Sequence, residues 1–517
     1  MTSSNPHPNP TGPWIAGIVA VGGGLAAGEI AAVPVSPDAS PYLAVGSSVV
    51  DHSPEAVREW AIATFGVVDK VALFVGMGIV VAVLAALAGA LERRWPPAGS
   101  AIVATFGGVG VLAAVNRPGA VWTYALPSVV AAVVAVTVLR ILIAQLGTGT
   151  QDAAGDEPDP SAARLSRRFL LVAGGVAAVA VGVGVVGRRM LADAAETLAD
   201  RARLILPPPA RPAPPIPAGT DVNIDGATPF VTDNDTFYRI DTALQVPTLT
   251  TVEWRLRIHG DVDREVTLTW DDLLAMPMVE HYVTLACVSN DVGGNLIGNA
   301  RWLGVPMRDV LDLAGVRPGA DMLLSTSIDG WNCGTPISAV TDGRDALLAV
   351  GMNGSPLPVE HGYPVRQVIP GLYGYVSATK WVVDWEIARF ADAQAYWTSR
   401  GWSALGPIKS SSRIDRPARG RHPAGDVVIA GTAWAQHVGI ARVEVRIDGG
   451  PWQPAELATE YGTDTWRQWW FVWKADKGDH TVECRAIDRN GRPQIERYRS
   501  PAPDGATGLD SRRYTIT

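Results

Sequence analysis

Cysteine is scarce in this 517-residue chain, which has only Cys287, Cys333 and Cys484. Three cysteines exclude a disulfide framework and a cysteine-rich zinc site, and they neither require nor exclude a location outside the cytoplasm. An excess of positive charge is also lacking, and the net charge of −8 argues against a nucleic-acid partner. None of the eight histidines lies in a long apolar segment, so we expect no haem in this chain.

Long uncharged runs are present, and nearly all of them lie upstream of residue 190. A run of about twenty apolar residues is long enough to cross a bilayer as a helix. The sequence predicts five spans, at residues 14–34, 67–91, 99–115, 120–146 and 169–187. We therefore expect residues 1–190 to form a transmembrane region of about five helices, surrounded by membrane lipid.

Basic residues flank these spans unevenly. Arg93 and Arg94 follow the second span, Arg167 and Arg168 precede the fifth, and the loop after the first span is acidic. Because positively charged loops stay in the cytoplasm, five crossings place everything after residue 187 outside it. The arginines that directly follow the fifth span argue against this orientation. We expect a multi-pass protein of the cell membrane whose larger domain is extracytoplasmic.

Downstream of the spans the composition changes twice. A proline-rich stretch at Leu206–Pro217 predicts a semi-rigid spacer at residues 191–220. Short alternating segments with hairpin turns and few helices then predict an α+β domain at residues 221–405. Residues 406–517 alternate as strands and predict an all-β, immunoglobulin-like sandwich. The expected fold is an α-helical membrane bundle followed by these two domains.

The stretch from Tyr282 to Leu311 is the strongest candidate for chemistry. Its alternation predicts a strand that enters a loop rich in glycine and asparagine, with Cys287 at the junction. A thiolate at the end of a strand can act as a nucleophile or as a metal ligand. A buried structural cysteine is the alternative, and this stretch alone does not decide between them.

Three further candidates, His361, Arg366 and Lys380, lie in loops interrupted by glycine. A guanidinium and an ammonium group beside flexible backbone suit a phosphate or another oxyanion. A solvated basic loop is the alternative, and the spacing of these residues does not exclude it.

Six pieces of the sequence occur in the order found in a known family. They are FYRIDTALQVP, TLACVSNDVGG, IGNARWLGVPMRDVL, DALLAVGMNGSPLP, HGYPVRQVIPG and KW. In them the chain resembles the sulfite oxidase family of molybdopterin-dependent oxidoreductases, from about Phe230 to Phe390. The resemblance continues past Ile408–Asp415 into a region similar to that family's immunoglobulin-like dimerisation domain, which implies a homodimer as one assembly.

The resemblance also implies roles for particular residues. Cys287 would bind molybdenum, and the residues that match the family's pterin-binding positions are Tyr238, Arg239, His361, Arg366, Ser377 and Lys380. The chemistry agrees, because a soft thiolate suits a metal that already bears dithiolene sulfurs, and cations suit the cofactor's phosphate. The expected activity is two-electron oxygen-atom transfer on a small-molecule substrate, with electrons exchanged through a separate partner.

Two departures from the family's pattern affect the expected substrate. Asp241 stands where the family usually has histidine, and we expect it to accept a hydrogen bond from the cofactor. Residues 290–292 lack the basic side chains that hold sulfite in sulfite-oxidising members, and Asp291 would repel a dianion. We therefore place Cys287, Arg239 and Asp291 at the reacting centre and expect an S-oxide or N-oxide substrate. Sulfite oxidation and a non-catalytic scaffold remain as alternatives.

The segment Ser166–Leu171, with the sequence SRRFLL, resembles the twin-arginine export signal with one residue fewer between the arginines and the phenylalanine. Ordinary positive-inside anchoring explains the same arginines equally well. We favour export, because a cofactor inserted in the cytoplasm obliges the domain to cross the membrane already folded.

The topology can be tested with a reporter fused after Thr517, which should be active outside the cytoplasm. Replacing Arg167 and Arg168 together by lysine should retain the domain inside if the chain uses the twin-arginine route. Normal export of the double variant would leave positive-inside anchoring as the explanation, and a reporter active only in the cytoplasm would contradict the orientation itself.

Overall fold

The computed structural model describes residues 11–36, 39–54, 57, 64, 69–117, 120–148, 192–243 and 245–517. The chain divides into two compact units, Met1–Ala195 and Glu196–Thr517.

The described part of the first unit is helical. Its helices are α1 (Gly12–Ala32), α2 (Pro41–His52), α3 (Asp69–Arg94), α4 (Ala98–Val115) and α5 (Ala125–Thr148), and a 3-10 turn at Trp122–Tyr124 precedes α5. Four segments are long and apolar enough to cross a membrane, at Gly12–Ala32, Ala72–Arg94, Ala98–Val115 and Trp122–Ala144. They coincide with the first four predicted spans and suggest membrane anchoring. The fifth predicted span, at residues 169–187, lies outside the described residues.

Helix α2 occupies a stretch that the sequence analysis treated as a loop. Ser40 caps this helix, since its hydroxyl oxygen accepts a hydrogen bond from the Leu43 amide at 3.2 Å. The same hydroxyl donates to the Glu29 carboxylate at 2.7 Å. The acidic side chain near the end of α1 therefore has a hydrogen-bond partner within the bundle.

Glycine lets the long helices touch backbone to backbone. A Cβ atom at Gly17 of α1 would lie 1.9 Å from the carbonyl oxygen of Ala85, and one at Gly89 of α3 would lie 2.0 Å from that of Pro13. No larger residue fits at either position without moving a helix. Close approach at small residues is a main source of contact energy between membrane helices, because lipid provides no hydrophobic drive between them.

The second unit begins within a helix over residues 192–203, called α6, and continues with one mixed and one antiparallel sheet. The strands, in chain order, are β1 (Arg255–Gly260), β2 (Val266–Thr269), β3 (Val279–Ala286), β4 (Ile297–Pro306), β5 (Met322–Ser327), β6 (Asn332–Pro336), β7 (Leu347–Met352), β8 (Ser355–Pro356), β9 (Arg366–Val368) and β10 (Val382–Ala388). Between them lie α7 (Trp270–Leu274), α8 (Met307–Ala314) and α9 (Ser338–Thr341), with 3-10 turns at Val359–His361, Gly374–Val376 and Thr398–Arg400.

The strand orders are β2-β1-β10-β5-β6 in one sheet and β3-β4-β7-β8 in the other, with β9 paired to β7. In β1 the buried Leu256 and Ile258 alternate with the exposed Arg255 and Arg257, so one face of this strand packs on the core. Strand β7 is buried along its whole length, which explains its unbroken apolar sequence. The predicted α+β domain is therefore confirmed.

The last part of the second unit is a two-sheet sandwich. Its strands are β11 (Ser411–Arg416), β12 (Gly420–His422), β13 (Gly425–Trp434), β14 (Ile440–Ile447), β15 (Gln453–Pro454), β16 (Glu456–Leu457), β17 (Arg467–Ala475), β18 (Gly478–Asp488) and β19 (Asp510–Ile516). The two sheets have the orders β11-β13-β17-β16 and β12-β19-β18-β14-β15. Trp469, Cys484 and Tyr514 are buried between them, as predicted for an all-β sandwich.

The proline-rich segment does not stand free of the folded unit. The Ala210 amide donates to the Met278 carbonyl at 2.8 Å, and the Glu280 amide donates to the Arg211 carbonyl at 2.9 Å. Residues around Arg211 thus run beside the start of β3, with Arg211 opposite Val279. The semi-rigid spacer predicted at residues 191–220 thus contacts the folded unit at Arg211, and its bounds stay a prediction. The other predicted boundaries, at residues 221, 405 and 406, stay predictions.

The glycine contact in the bundle yields a matched pair of substitutions in α1. Gly17→Ala would force α1 away from α3 and should cost about 1–3 kcal/mol of stability, as overpacking does elsewhere. Gly22→Ala should be nearly neutral, because a Cβ atom there meets nothing within 4 Å. Thermal unfolding of the full chain in detergent measures both, and equal effects of the two substitutions would contradict the packing described.

Candidate functional site

Cys287 lies one residue beyond the end of β3, at the start of a turn. The turn is held by the Cys287 amide, which donates to the Leu296 carbonyl at 2.9 Å, and by the Asn290 amide, which donates to the Cys287 carbonyl at 3.1 Å. Burial raises the pKa of the Cys287 thiol, while hydrogen bonds from Ser289 and the charge of Lys380 act in the opposite direction. The thiol therefore needs a nearby cation or metal to lose its proton.

Arg366, at the start of β9, is only 5% exposed. Its Nη1 donates to the His361 carbonyl at 3.0 Å, and its guanidinium lies 5.1 Å from the ring centroid of Trp302. Within the described part of the chain, no carboxylate lies within ion-pair distance of this guanidinium. Burial lowers the pKa of Arg366 to about 10, which shows how poorly its charge is compensated.

Lys380 and Arg239 share one carboxylate. The Lys380 Nζ lies 2.8 Å from Asp241 Oδ2, and the Arg239 Nε lies 2.8 Å from the same oxygen. Lys380 also donates to the Glu360 carbonyl at 3.2 Å and lies 4.6 Å from the ring centroid of Trp381. Burial lowers the pKa of Lys380 to about 8, although Asp241 opposes this shift. Asp241 thus orients two cations at once.

His361 and Tyr238 complete the buried group. Burial, together with the charges of Arg366 and Lys380, lowers the pKa of His361 to about 3, so the ring is neutral near pH 7. Its Nε2 lies 3.2 Å from the Asn234 carbonyl oxygen, which assigns the ring proton to Nε2. Burial also raises the pKa of the Tyr238 phenol, on which the charges of Cys287 and Arg366 both act.

Two predicted site residues have other surroundings. The Ser377 hydroxyl donates to the backbone carbonyls of Leu372 and Tyr373, at 3.2 and 3.0 Å, and so closes a local turn. Asp291 is exposed, and its carboxylate accepts hydrogen bonds from the Val292 amide at 2.7 Å and from the Tyr498 hydroxyl at 3.3 Å. The roles assigned to these two residues stay predictions.

The structure adds residues that sequence reasoning missed. Tyr373 is buried, and this burial, with a smaller contribution from the charge of Cys287, raises the pKa of its phenol to about 12. Its only sequence signal was its position in the GLYGYV segment. Cys333 is fully buried, with its sulfur 3.1 Å from the Thr379 hydroxyl. Ser325 joins this network through the Thr379 hydroxyl and the Gln367 side chain, each at 2.7 Å. The network therefore lies one residue from both Arg366 and Lys380.

The group as a whole has an excess of positive charge and one soft ligand. Among the residues that the structure describes, no cluster of three or more His, Cys, Asp and Glu side chains could hold a metal ion by itself. A metal bound at Cys287 must therefore bring most of its own ligands. Gly362 leaves space between Arg366 and Lys380. A Cβ atom at this position would lie 3.0 Å from the Arg366 Cβ and 3.1 Å from the Lys380 Cβ.

Comparison with known proteins points to one family. Residues 243–397 match the oxidoreductase molybdopterin binding domain. The chain is 29% identical over 311 residues to the mitochondrial sulfite oxidase of Rattus norvegicus, covering 50% of this chain and 56% of that protein. It is 31% identical over 162 residues to the uncharacterized oxidoreductase YuiH of Bacillus subtilis (strain 168), covering 31% of this chain and 78% of that protein.

A solved structure is also similar. The sulfane dehydrogenase SoxCD from Paracoccus pantotrophus matches with a TM-score of 0.49 and 25% identity, over 55% of this chain and 81% of that chain. The chain spans only about half the length of the sulfite oxidases that it matches, 56% in the rat protein.

The residues present fit the cofactor that this domain implies. Molybdopterin brings dithiolene sulfurs to its metal and carries a phosphate, so the protein need add only a soft ligand and cations. The Cys287 thiol and the Arg366 guanidinium, which lacks a carboxylate partner in the described chain, have this chemistry. The chain belongs to the sulfite oxidase family of molybdopterin-dependent oxidoreductases.

Proposed function

We propose that this chain is a membrane-anchored enzyme that catalyses two-electron oxygen-atom transfer on a small substrate outside the cytoplasm. The observation that carries the proposal is that Cys287, far from Arg366 and Lys380 in sequence, lies near both cations in the fold. The charges of Cys287 and Arg366 both act on Tyr238, and the charge of Lys380 acts on the thiol. A non-catalytic scaffold has no need to bury a thiol beside two cations, because each such burial costs stability.

The protein's own residues hold and orient the cofactor. Cys287 would bind the metal, and Arg366 and Lys380 would bind the anionic phosphate. Asp241 keeps Lys380 and Arg239 in place through the hydrogen bonds described above. The bound molybdenum centre supplies the two-electron redox chemistry. His361 is neutral and donates its Nε2 proton to the backbone, which leaves Nδ1 as an acceptor for the pterin.

The proposed substrate class is a neutral S-oxide or N-oxide. Asp291 is the acidic group closest in sequence to the metal ligand, and no basic side chain accompanies it at residues 290–292. A carboxylate several Å from a dianion in a partly hydrated pocket opposes binding by on the order of 1–2 kcal/mol. A neutral substrate avoids this repulsion, because only the charged species experiences it.

Sulfite oxidation is the second candidate, and one observation favours it. The Arg239 side chain is 36% exposed although it pairs with Asp241, so a cation remains accessible beside the buried group. The similarity to proteins named sulfite oxidase supports the same candidate. The enzyme would pass electrons to a separate partner in either case, and a homodimer formed through the sandwich is part of the proposal.

The four apolar helices support membrane anchoring. The proposed orientation, with the second unit outside the cytoplasm, rests on the arginines at residues 93–94 and 164–168. Export by the twin-arginine route is part of the same proposal, and Arg167 and Arg168 lie outside the described residues.

Anion binding should depend on pH through Lys380, whose pKa is about 8. The protonated fraction falls roughly tenfold between pH 7 and pH 9, so the affinity of cofactor-free protein for sulfate should fall by a similar factor. Sulfate suits this test because its charge is constant over the range. Calorimetric titration should show this fall in sulfate affinity with pH in the wild type. The fall should be absent in Lys380→Arg, because arginine stays charged over the range.

Lys409→Arg is the control for this titration, since Lys409 pairs with Asp504 at 2.7 Å and should leave the slope unchanged. A pH-independent affinity in the wild type, or the same slope in Lys380→Arg, would show that Lys380 does not provide the binding charge.

The substrate proposal predicts poor sulfite turnover and efficient reduction of neutral S-oxides or N-oxides by an artificial electron donor. Asp291→Asn should raise kcat/KM for sulfite by about 5–30-fold, the factor that corresponds to 1–2 kcal/mol. Asp426→Asn, at an exposed site in β13, is the matched control. Efficient oxidation of micromolar sulfite by the unmodified enzyme would favour Arg239 as the substrate-binding cation instead.

A further inference from the structure

Helix α6, over residues 192–203, has one face fixed to the rest of the second unit. The positions on this face repeat every three to four residues, as expected for one side of a helix, and they are Thr197, Asp200, Arg201 and Leu204. Thr197 is buried and the other three are partly buried. The helix is therefore docked and does not project into solvent.

Asp200 and Arg201 make the specific contacts of this face. The Asp200 carboxylate accepts hydrogen bonds from the Thr251 amide and from the Tyr363 hydroxyl, each at 2.7 Å. Arg201 donates from Nε to the Leu357 carbonyl at 2.7 Å and from Nη2 to the Pro356 carbonyl at 2.9 Å. Charge-assisted hydrogen bonds of this kind fix both position and angle. Helix α6 is thus attached to residues 356–363, the segment that contains His361.

The adjacent face of the same helix is apolar and exposed, and Ile205, just past the end of the helix, continues it. Leu198 is 57% exposed, and Ile205, seven residues further on, is 88% exposed. Ala202 lies between them in the helical repeat and is also exposed. Large apolar side chains grouped in this way mark an interaction surface more often than chance exposure.

The length of the chain brings this face close to a bilayer. The fifth predicted span ends at residue 187, and α6 is helical from residue 192, so four residues connect them. The five Cα–Cα steps from residue 187 to residue 192 reach at most about 18 Å even when the chain is fully extended. Arg203 is exposed next to Ala202, and an arginine at such a border suits the headgroups of anionic lipids.

We propose that the face formed by Leu198, Ala202 and Ile205 lies in the interfacial layer of an anionic phospholipid bilayer. This inference rests on the proposed membrane anchoring and extends it, because it gives the catalytic unit its own contact with lipid. Since α6 is bonded to residues 356–363, the contact also fixes the distance of the cofactor-binding segment from the membrane surface.

Site-directed spin labelling of the full chain in vesicles of phosphatidylglycerol and phosphatidylcholine tests the proposal. The native cysteines are all buried, so a cysteine introduced as Leu198→Cys or Ile205→Cys can be labelled selectively. Val472→Cys, at a 51% exposed position in β17, is the matched control. The measured quantity is the collision rate of each label with oxygen, which concentrates in lipid, relative to a water-soluble nickel chelate.

The ratio of oxygen to nickel collisions should be several-fold higher at residues 198 and 205 than at residue 472. Equal ratios at the three positions would show that the face is in water and would overturn the proposal. Labels shielded from both reagents, or broadened by a second label nearby, would show that protein covers the face and would overturn it as well. Molybdenum content and reductase activity of the same samples report separately on the proposed function.

Discussion

The site depends on positive charge that is buried without enough acid to neutralise it. Arg366 and Lys380 are both largely buried, and Asp241 pairs with Lys380 while it also binds Arg239. Burial lowers the pKa of both cations, which means that each is less stable as a cation here than in water. An anionic ligand offsets the free-energy cost of burying these two cations, and the phosphate of molybdopterin is the anion that the family's cofactor provides.

The same two cations determine the states of their neighbours. Burial is the main reason that the pKa of His361 is lowered, and the two charges add to this effect, while the charge of Lys380 partly offsets the effect of burial on the pKa of Cys287. Without a metal, Cys287 therefore remains a thiol near neutral pH, and metal binding must release its proton. Arg366 lies over the ring face of Trp302, and Lys380 lies over that of Trp381. These cation–π contacts stabilise the two cations without adding a negative charge. Cofactor binding and charge compensation are thus one process in this fold.

Local patterns in the sequence predicted the strand that ends at Cys287, the apolar helices and the sandwich, because each depends on periodicity over a few residues. Contacts between distant segments left no such pattern, as the bond from Lys380 to Asp241 across 139 residues illustrates. The proline-rich segment was predicted to be a semi-rigid spacer because its composition favours an extended chain, and composition did not indicate that such a chain pairs with β3. The hydroxyl of Ser377 closes a turn whose geometry the motif does not encode.

The central claim is that Cys287 binds the molybdenum of a pterin cofactor, and X-ray absorption at the molybdenum edge tests it most directly. The purified full chain should contain about one molybdenum per protein. Cys287→Ser should lose the metal or show one sulfur neighbour fewer, whereas Cys484→Ser, in the sandwich core, should leave the spectrum unchanged. An unaltered metal content and sulfur count in Cys287→Ser, together with full activity, would contradict the account.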